Sequence, residues 1–168
     1  MRTHIRNLVY AAILAALYVV LTNWQNFILP GSATWAIQMR LSEALSVLAF
    51  FTPAAAPGLA VGCLLFNLNY AAALPLDAVV GTLATWLACK AMWMTRNIRF
   101  LGLPLMGLLM PALTNAIFVG WELTVYIGGG FWINALYVAI GELIVMLTLG
   151  LLLYTVMKRR NLGKILFE

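Results

Sequence analysis

The sequence predicts an all-α integral membrane protein, a single domain over 1–168 built as a bundle of six transmembrane helices, and three observations carry that expectation. Hydrophobic residues make up 64% of the 168 positions and charged residues 9%, whereas a soluble domain is roughly half apolar and a quarter charged. Crossing roughly 30 Å of hydrocarbon takes about 20 apolar residues, and six such runs consume nearly the whole chain. Most of the basic residues sit between those runs. Of the ten, eight fall in three places: Arg2 and Arg6 before the first run, Arg96 and Arg99 between the fourth and fifth, and Lys158, Arg159, Arg160 and Lys164 after the sixth. With six spans those places share one face, which the positive-inside bias makes cytoplasmic, so both termini are expected inside.

The first helix is expected over 7–28. Its basic start and apolar run have the outline of a signal peptide, but the run 8–22 is long and no small-residue cleavage site follows, so it reads as a retained helix. Pro30, Gly31 and Ser32 mark a turn on the outer side over 29–35. The second helix, 36–51, is short, and the prolines of 52–57 make an inner turn into the third, 58–71. The fourth is expected over 76–95. The fifth, 100–126, contains Pro104 and Pro111, which remove backbone donors and bend it. Gly128, Gly129 and Gly130 form an outer turn before the sixth, 131–157. No internal repeat is evident, which argues against a transporter made of paired repeats.

Several function classes are excluded at this level. The net charge of +5 does not denote a nucleic-acid surface, because the basic residues neither line one face nor alternate with stacking aromatics. Cys63 and Cys89 lie inside expected spans and read as small hydrophobes. No G-x-x-x-x-G-K-[ST] loop is present, so the chain is not expected to hydrolyse ATP. The single histidine, His4, sits in the basic tail, and neither an H-E-x-x-H helix nor a Ser-His-Asp set occurs. The expectation is a protein without enzymatic activity, metal or cofactor.

The polar residues within the apolar runs are more informative. A charge at the bilayer centre costs at least ~2.5 kcal/mol, so a carboxylate there needs a partner, a water-filled cavity or a ligand. Under the expected topology Arg40, Glu43, Asn67, Asp77 and Glu122 lie near the outer ends of their helices. Glu142 enters eleven residues from the outer start of helix six, some 16 Å deep at ~1.5 Å per residue. Asn115, Glu122 and Tyr126 share one face of helix five, within about 40° of one another at 100° per residue. Asn134 and Gly141 share a face of helix six, with Glu142 beside them. Such groups can serve as interhelical glue, with Arg40 pairing Glu43 at i, i+3. Glue has no reason to prefer one leaflet, whereas an outward-opening cavity does. Three or four acids with amides and aromatics suit a neutral or cationic, flat solute and not a phosphate.

Helix one carries Ala11, Ala12, Ala15 and Ala16, two interleaved small-xxx-small pairs that let another helix approach closely. Packing within the chain and docking of a partner subunit both account for such a stripe.

The block Arg40-Leu-Ser-Glu-Ala through Phe50-Phe-Thr-Pro-Ala to Asn67, with Asp77, Gly81-Thr-Leu-Ala-Thr85, Asn115-Ala-Ile-Phe-Val-Gly-Trp-Glu122 and Gly141-Glu142, closely resembles the QueT family, queuosine-precursor S components of energy-coupling-factor (ECF) transporters. The resemblance extends over nearly the whole chain. It implies a six-helix S component in the bacterial cell membrane that binds a 7-deazaguanine such as queuine, a related base or the nucleoside from outside. It further implies docking through helix one onto a transmembrane T component bearing two ATPases. By position, Arg40, Glu43, Asn67, Asp77, Asn115, Glu122 and Glu142 become the candidate substrate-binding set, and Ala11, Ala12, Ala15 and Ala16 the partner-docking set. The alternative is a stand-alone proton-coupled transporter or facilitator of a nucleobase-like solute, in which a carboxylate such as Glu142 relays protons.

Overall fold

A computed structural model describes residues 2–32, 39–70 and 73–167. In chain order these form α1 (Arg2–Ile28), a 3-10 helix (Leu41–Phe50), α2 (Ala55–Asn69), α3 (Asp77–Met94), α4 (Leu105–Leu108), α5 (Met110–Tyr126), α6 (Phe131–Val145), a π turn (Met146–Gly150), α7 (Leu151–Arg159) and α8 (Leu162–Phe167). Three stretches are long and apolar enough to cross a membrane, His4–Ile28, Leu105–Tyr126 and Phe131–Arg159, and Leu41–Phe50 and Ala55–Asn69 are shorter apolar helices. The protein is a multi-pass, all-helical membrane protein.

Neighbours follow chain order: α1 packs on α2, α2 on α3, α3 on α5 and α5 on α6. The 3-10 helix touches α1, α2, α3, α6, the π turn and α7, so the longer helices pack around it. Its sequence explains the placement, because a helix that is apolar or small all round belongs in a core. Ser42, Glu43, Ala44, Ser46, Val47, Leu48, Ala49 and Phe50 are all buried. The expected α-helix over 36–51 is thereby corrected: Met39 and Arg40 are not helical, 41–50 winds as 3-10, and the expected start lies outside the described residues. At about 2.0 Å rise per residue, ten residues span ~20 Å, against ~15 Å for an α-helix. The tighter winding stretches a short segment through the core.

Helix three begins earlier than expected, at Ala55, because Pro57 is tolerated in a first turn. The fifth helix starts later. Phe100 and Leu103 exchange backbone hydrogen bonds of 2.8 and 3.0 Å in a tight turn, Pro104 caps α4, and the α geometry breaks at Leu109 before α5. Pro111, lacking an N–H, cannot bond the carbonyl of Gly107, so a break between them costs little. The sixth helix runs on to Arg159 through the π turn, where a Cβ on Gly150 would lie 3.3 Å from Val47 on the 3-10 helix. π turns of this kind concentrate at functional sites. Asn161, in the left-handed region at φ 51°, reverses the chain into α8, a helix not expected from the sequence. There Gly163 fits flush against the Phe51 ring, and Phe167 packs edge-on against Tyr10 of α1 at 5.2 Å.

The three basic segments meet at one end of the bundle: Arg99 donates to the Tyr154 hydroxyl, Lys158 reaches the carbonyl of Gly102 at 3.4 Å, and α8 returns to α1.

The α1–α2 contact divides the alanine stripe. A Cβ at Gly58 would lie 2.6 Å from the Ala11 carbonyl oxygen, and one at Gly62 would lie 2.8 Å from that of Ala15. Ala11 and Ala15 therefore face a glycine pair at the same spacing, which lets the backbones touch. Both residues, expected to dock a partner, are thus engaged by α2 within the chain. Ala12 and Ala16 point the other way and are exposed.

Candidate functional site

Four of the chain's five acidic residues are gathered inside the bundle. Glu43, Asp77, Glu122 and Glu142 are at most 3% exposed, and Arg40, Asn67 and Asn115 are each 5% exposed. They come from every layer: Arg40 and Glu43 from the start of the 3-10 helix, Asn67 from the end of α2, Asp77 from the first turn of α3, Asn115 and Glu122 from α5, and Glu142 from α6.

Arg40 is the common charge partner. Its guanidinium lies within electrostatic range of Glu43 and Asp77, of Glu122 and of Glu142. One arm reaches the Cys63 sulfur at 3.8 Å, and Asn67 donates to the same sulfur at 3.5 Å and to the Asp77 carbonyl at 2.8 Å. Gly81 is what admits them, since a Cβ there would sit 2.9 Å from the Asn67 amide. The Asp77 carboxylate accepts the Leu74 N–H at 2.9 Å, fixing the turn that enters α3.

None of the three glutamates has both carboxylate oxygens hydrogen-bonded. Glu43 Oε1 accepts from the Tyr18 hydroxyl at 2.6 Å and from Thr85 at 3.4 Å. Glu142 Oε1 accepts the Asn115 amide at 2.8 Å. Glu43 Oε2, Glu142 Oε2, both carboxylate oxygens of Glu122 and the Asn67 carbonyl oxygen are buried without a hydrogen-bond partner. Glu122 faces Asp77, another acceptor. It is closed off from solvent, yet sits among fewer atoms than Glu43 and Glu142 do. Every unpaired atom of this set is an acceptor, and a buried acceptor left without a donor costs about 1–3 kcal/mol, more when charged. Among the described residues no group of three or more His, Cys, Asp or Glu is placed to hold a metal ion.

All seven residues picked from the sequence converge here, but two expectations fail. Tyr126 is 41% exposed and does not join Asn115 and Glu122. Asn134 instead ties the glycine turn to α5, donating to the Gly128 carbonyl and to Thr124 at 3.0 Å each. The cluster is closed rather than open to the outside, because the side chains pack on one another. A separate open groove, about 470 Å³ between α3 and α5, is lined by apolar Val80, Leu83, Ile117, Phe118, Trp121 and Phe131.

Sequence reasoning passed over Tyr18, Thr22 and Gln25. Their i, i+4, i+7 spacing places them on one face of α1, and each meets the start of the 3-10 helix. Thr22 and Ser42 share a hydroxyl hydrogen bond of 2.7 Å. Gln25 bonds the Met39 carbonyl at 2.6 Å and the Leu41 N–H at 2.7 Å. Cys63, read as a small hydrophobe, lies within the cluster.

A family model described as QueT transporter matches residues 8–159. No match is found among curated proteins or solved structures. Spanning 152 residues from Leu8 to Arg159, the match takes in all seven clustered polar residues and the α1 stripe, and the chain belongs to the QueT transporter family.

Proposed function

We propose that the protein is the substrate-binding S component of an ATP-driven ECF importer, and that it captures a queuosine precursor, a 7-deazaguanine base or its nucleoside, from outside the cell. The observation that carries this reading is the set of buried acceptor oxygens without donors around a single guanidinium. A deazaguanine presents the complement: a ring N–H beside an exocyclic amine, which a carboxylate accepts as two parallel bonds, and in the aminomethyl precursor a cationic ammonium as well. Glu43 and Glu142 are the acids proposed for those groups. Arg40 holds the carboxylates together and offers donors to the ring carbonyl. Asn67, Asp77, Asn115 and Glu122 complete the rim.

The orientation rests on charge. The basic end of the bundle faces the cytoplasm under the positive-inside bias, with both termini there and six helical crossings in a bacterial cell membrane. Docking onto the T component, which carries the two ATPases, uses the outer face of α1. There Ala12 and Ala16 lie exposed among Leu8, Val9, Ile13 and Val20, which are 50–71% exposed. Small residues on such a face permit close helix approach without a hydrophobic driving force.

The test is calorimetry on the purified chain in detergent with queuine, its aminomethyl precursor, queuosine and guanine. Saturable binding of a deazapurine, tightest for the donor-rich aminomethyl form, is expected, and absence of binding by folded protein overturns the substrate. Uptake into vesicles by this chain alone, without ATP, favours the proton-coupled alternative.

A further inference from the structure

The hydrogen bond between Tyr18 and Glu43 is a short tie of the acid cluster, and its donor stands on α1. Tyr18 is fully buried, and its hydroxyl meets Glu43 Oε1 at 2.6 Å. Its Cβ is fixed from the other side, because a Cβ at Gly62 would lie 2.7 Å from it. The residue is thus wedged between a close point of the α1–α2 contact and one proposed ligand acid.

Glu43 also sits on an unusual support. The 3-10 helix runs for ten residues, where runs beyond 3–4 are uncommon and often mark a hinge. Its first turn is held to α1 by Tyr18, Thr22 and Gln25. Ala12 and Ala16 lie roughly 120° and 160° around α1 from Tyr18 at 100° per residue. One face of α1 therefore holds the acid while a different face is exposed for a partner. A small tilt of α1 against α2 changes the Tyr18–Glu43 separation directly, since no flexible side chain intervenes.

We propose that Tyr18 is a positioning residue, which fixes Glu43 for the ligand and makes ligand affinity depend on where α1 sits. This rests on the reading of Glu43 as a ligand acid. Tyr18 touches no ligand in this scheme. It holds Glu43 Oε1 so that Oε2, which has no partner, is the oxygen presented.

The experiment uses the full chain in lipid nanodiscs and compares Tyr18→Phe with Tyr154→Phe. Tyr154 is also buried, at 2% exposure, and its hydroxyl accepts from Arg99 at the basic end. Both variants lose one buried hydroxyl, so a purely structural role lowers stability in both without distinguishing them. The first readout is the carboxyl infrared band of Glu43, assigned by its loss in Glu43→Gln, and it requires no ligand. The band is expected to shift in Tyr18→Phe and stay in Tyr154→Phe; an unshifted band overturns the proposal.

The second readout is calorimetric affinity for 7-aminomethyl-7-deazaguanine. Tyr18→Phe is expected to weaken binding about tenfold, the order of one hydrogen bond to a charged group, and Tyr154→Phe less than threefold. Equal losses refute positioning. Failure of the wild-type chain to bind the probe sinks the substrate reading alone, because the infrared arm still decides the geometry. The third arm moves the helix. Gly62→Ala pushes α1 away from α2, and is expected to weaken binding and shift the Glu43 band in wild type but to add nothing to Tyr18→Phe. Additive effects in this double-mutant cycle refute the dependence on α1.

Discussion

Replacing Glu142 by Gln separates a ligand acid from a structural one, because the two roles give opposite signs. In the native cluster Asn115 donates to Glu142 Oε1 at 2.8 Å, and Oε2 is buried without a partner. Glutamine keeps the first bond by placing its carbonyl oxygen where Oε1 was, and puts an NH₂ where the unpaired oxygen was. For the free protein little is lost, since the change removes one of four acids that share a single guanidinium, and the replaced oxygen held no hydrogen bond. For a ligand that donates to Oε2 it is a double loss. A charge-assisted hydrogen bond of about 1.5–3 kcal/mol disappears, and an amide donor left facing another donor costs about 1–3 kcal/mol more. The sum, about 2.5–6 kcal/mol, is about two to four orders of magnitude in Kd at about 1.4 kcal/mol per decade. The assay is calorimetry with 7-aminomethyl-7-deazaguanine beside a thermal melt of the ligand-free protein in the same detergent. Weakened binding with an unchanged or raised Tm is expected. Wild-type affinity in Glu142→Gln, or a variant that loses its fold, refutes the reasoning: the first makes Oε2 irrelevant to the ligand, and the second makes Glu142 a structural partner of Asn115.

Three further outcomes follow from the packing. Gly58→Val drives side-chain atoms into the Ala11 backbone, which a Cβ alone would approach to 2.6 Å; a loss of about 1–3 kcal/mol in stability is expected, read as a lowered Tm or denaturation midpoint. Ala12→Trp and Ala16→Trp, on the exposed face of α1, should leave Tm and ligand affinity as in wild type while abolishing co-purification with the T component and ATP-dependent uptake. Gly163→Val cannot keep α8 in place, because a Cβ there would lie 2.5 Å from the Phe51 ring; faster proteolysis near 162–167 is expected, with ligand affinity unchanged.

The apolar runs, their order and the basic segments between them were legible in the sequence, because hydropathy and charge act residue by residue and need no neighbour from elsewhere in the chain. The candidate set was legible for the same reason: each of Glu43, Asp77, Glu122 and Glu142 is costly in an apolar run wherever the run packs. Backbone form was not. That 41–50 winds as 3-10 goes with its position among helices on several sides, and no local pattern in Leu-Ser-Glu-Ala-Leu-Ser-Val-Leu-Ala-Phe announces it. The alanine stripe shows the same division. The sequence established that α1 presents small residues; only the glycines at 58 and 62, brought opposite by the fold, decided that Ala11 and Ala15 face inward and Ala12 and Ala16 outward. Tyr18 is the plainest case. On its own helix it is one more aromatic in an apolar run, and it acquires a role only where packing places its hydroxyl 2.6 Å from an acid 25 residues away. Burial cost belongs to the residue and can be read from one chain; partnership belongs to a pair, and only the tertiary structure chooses the pair.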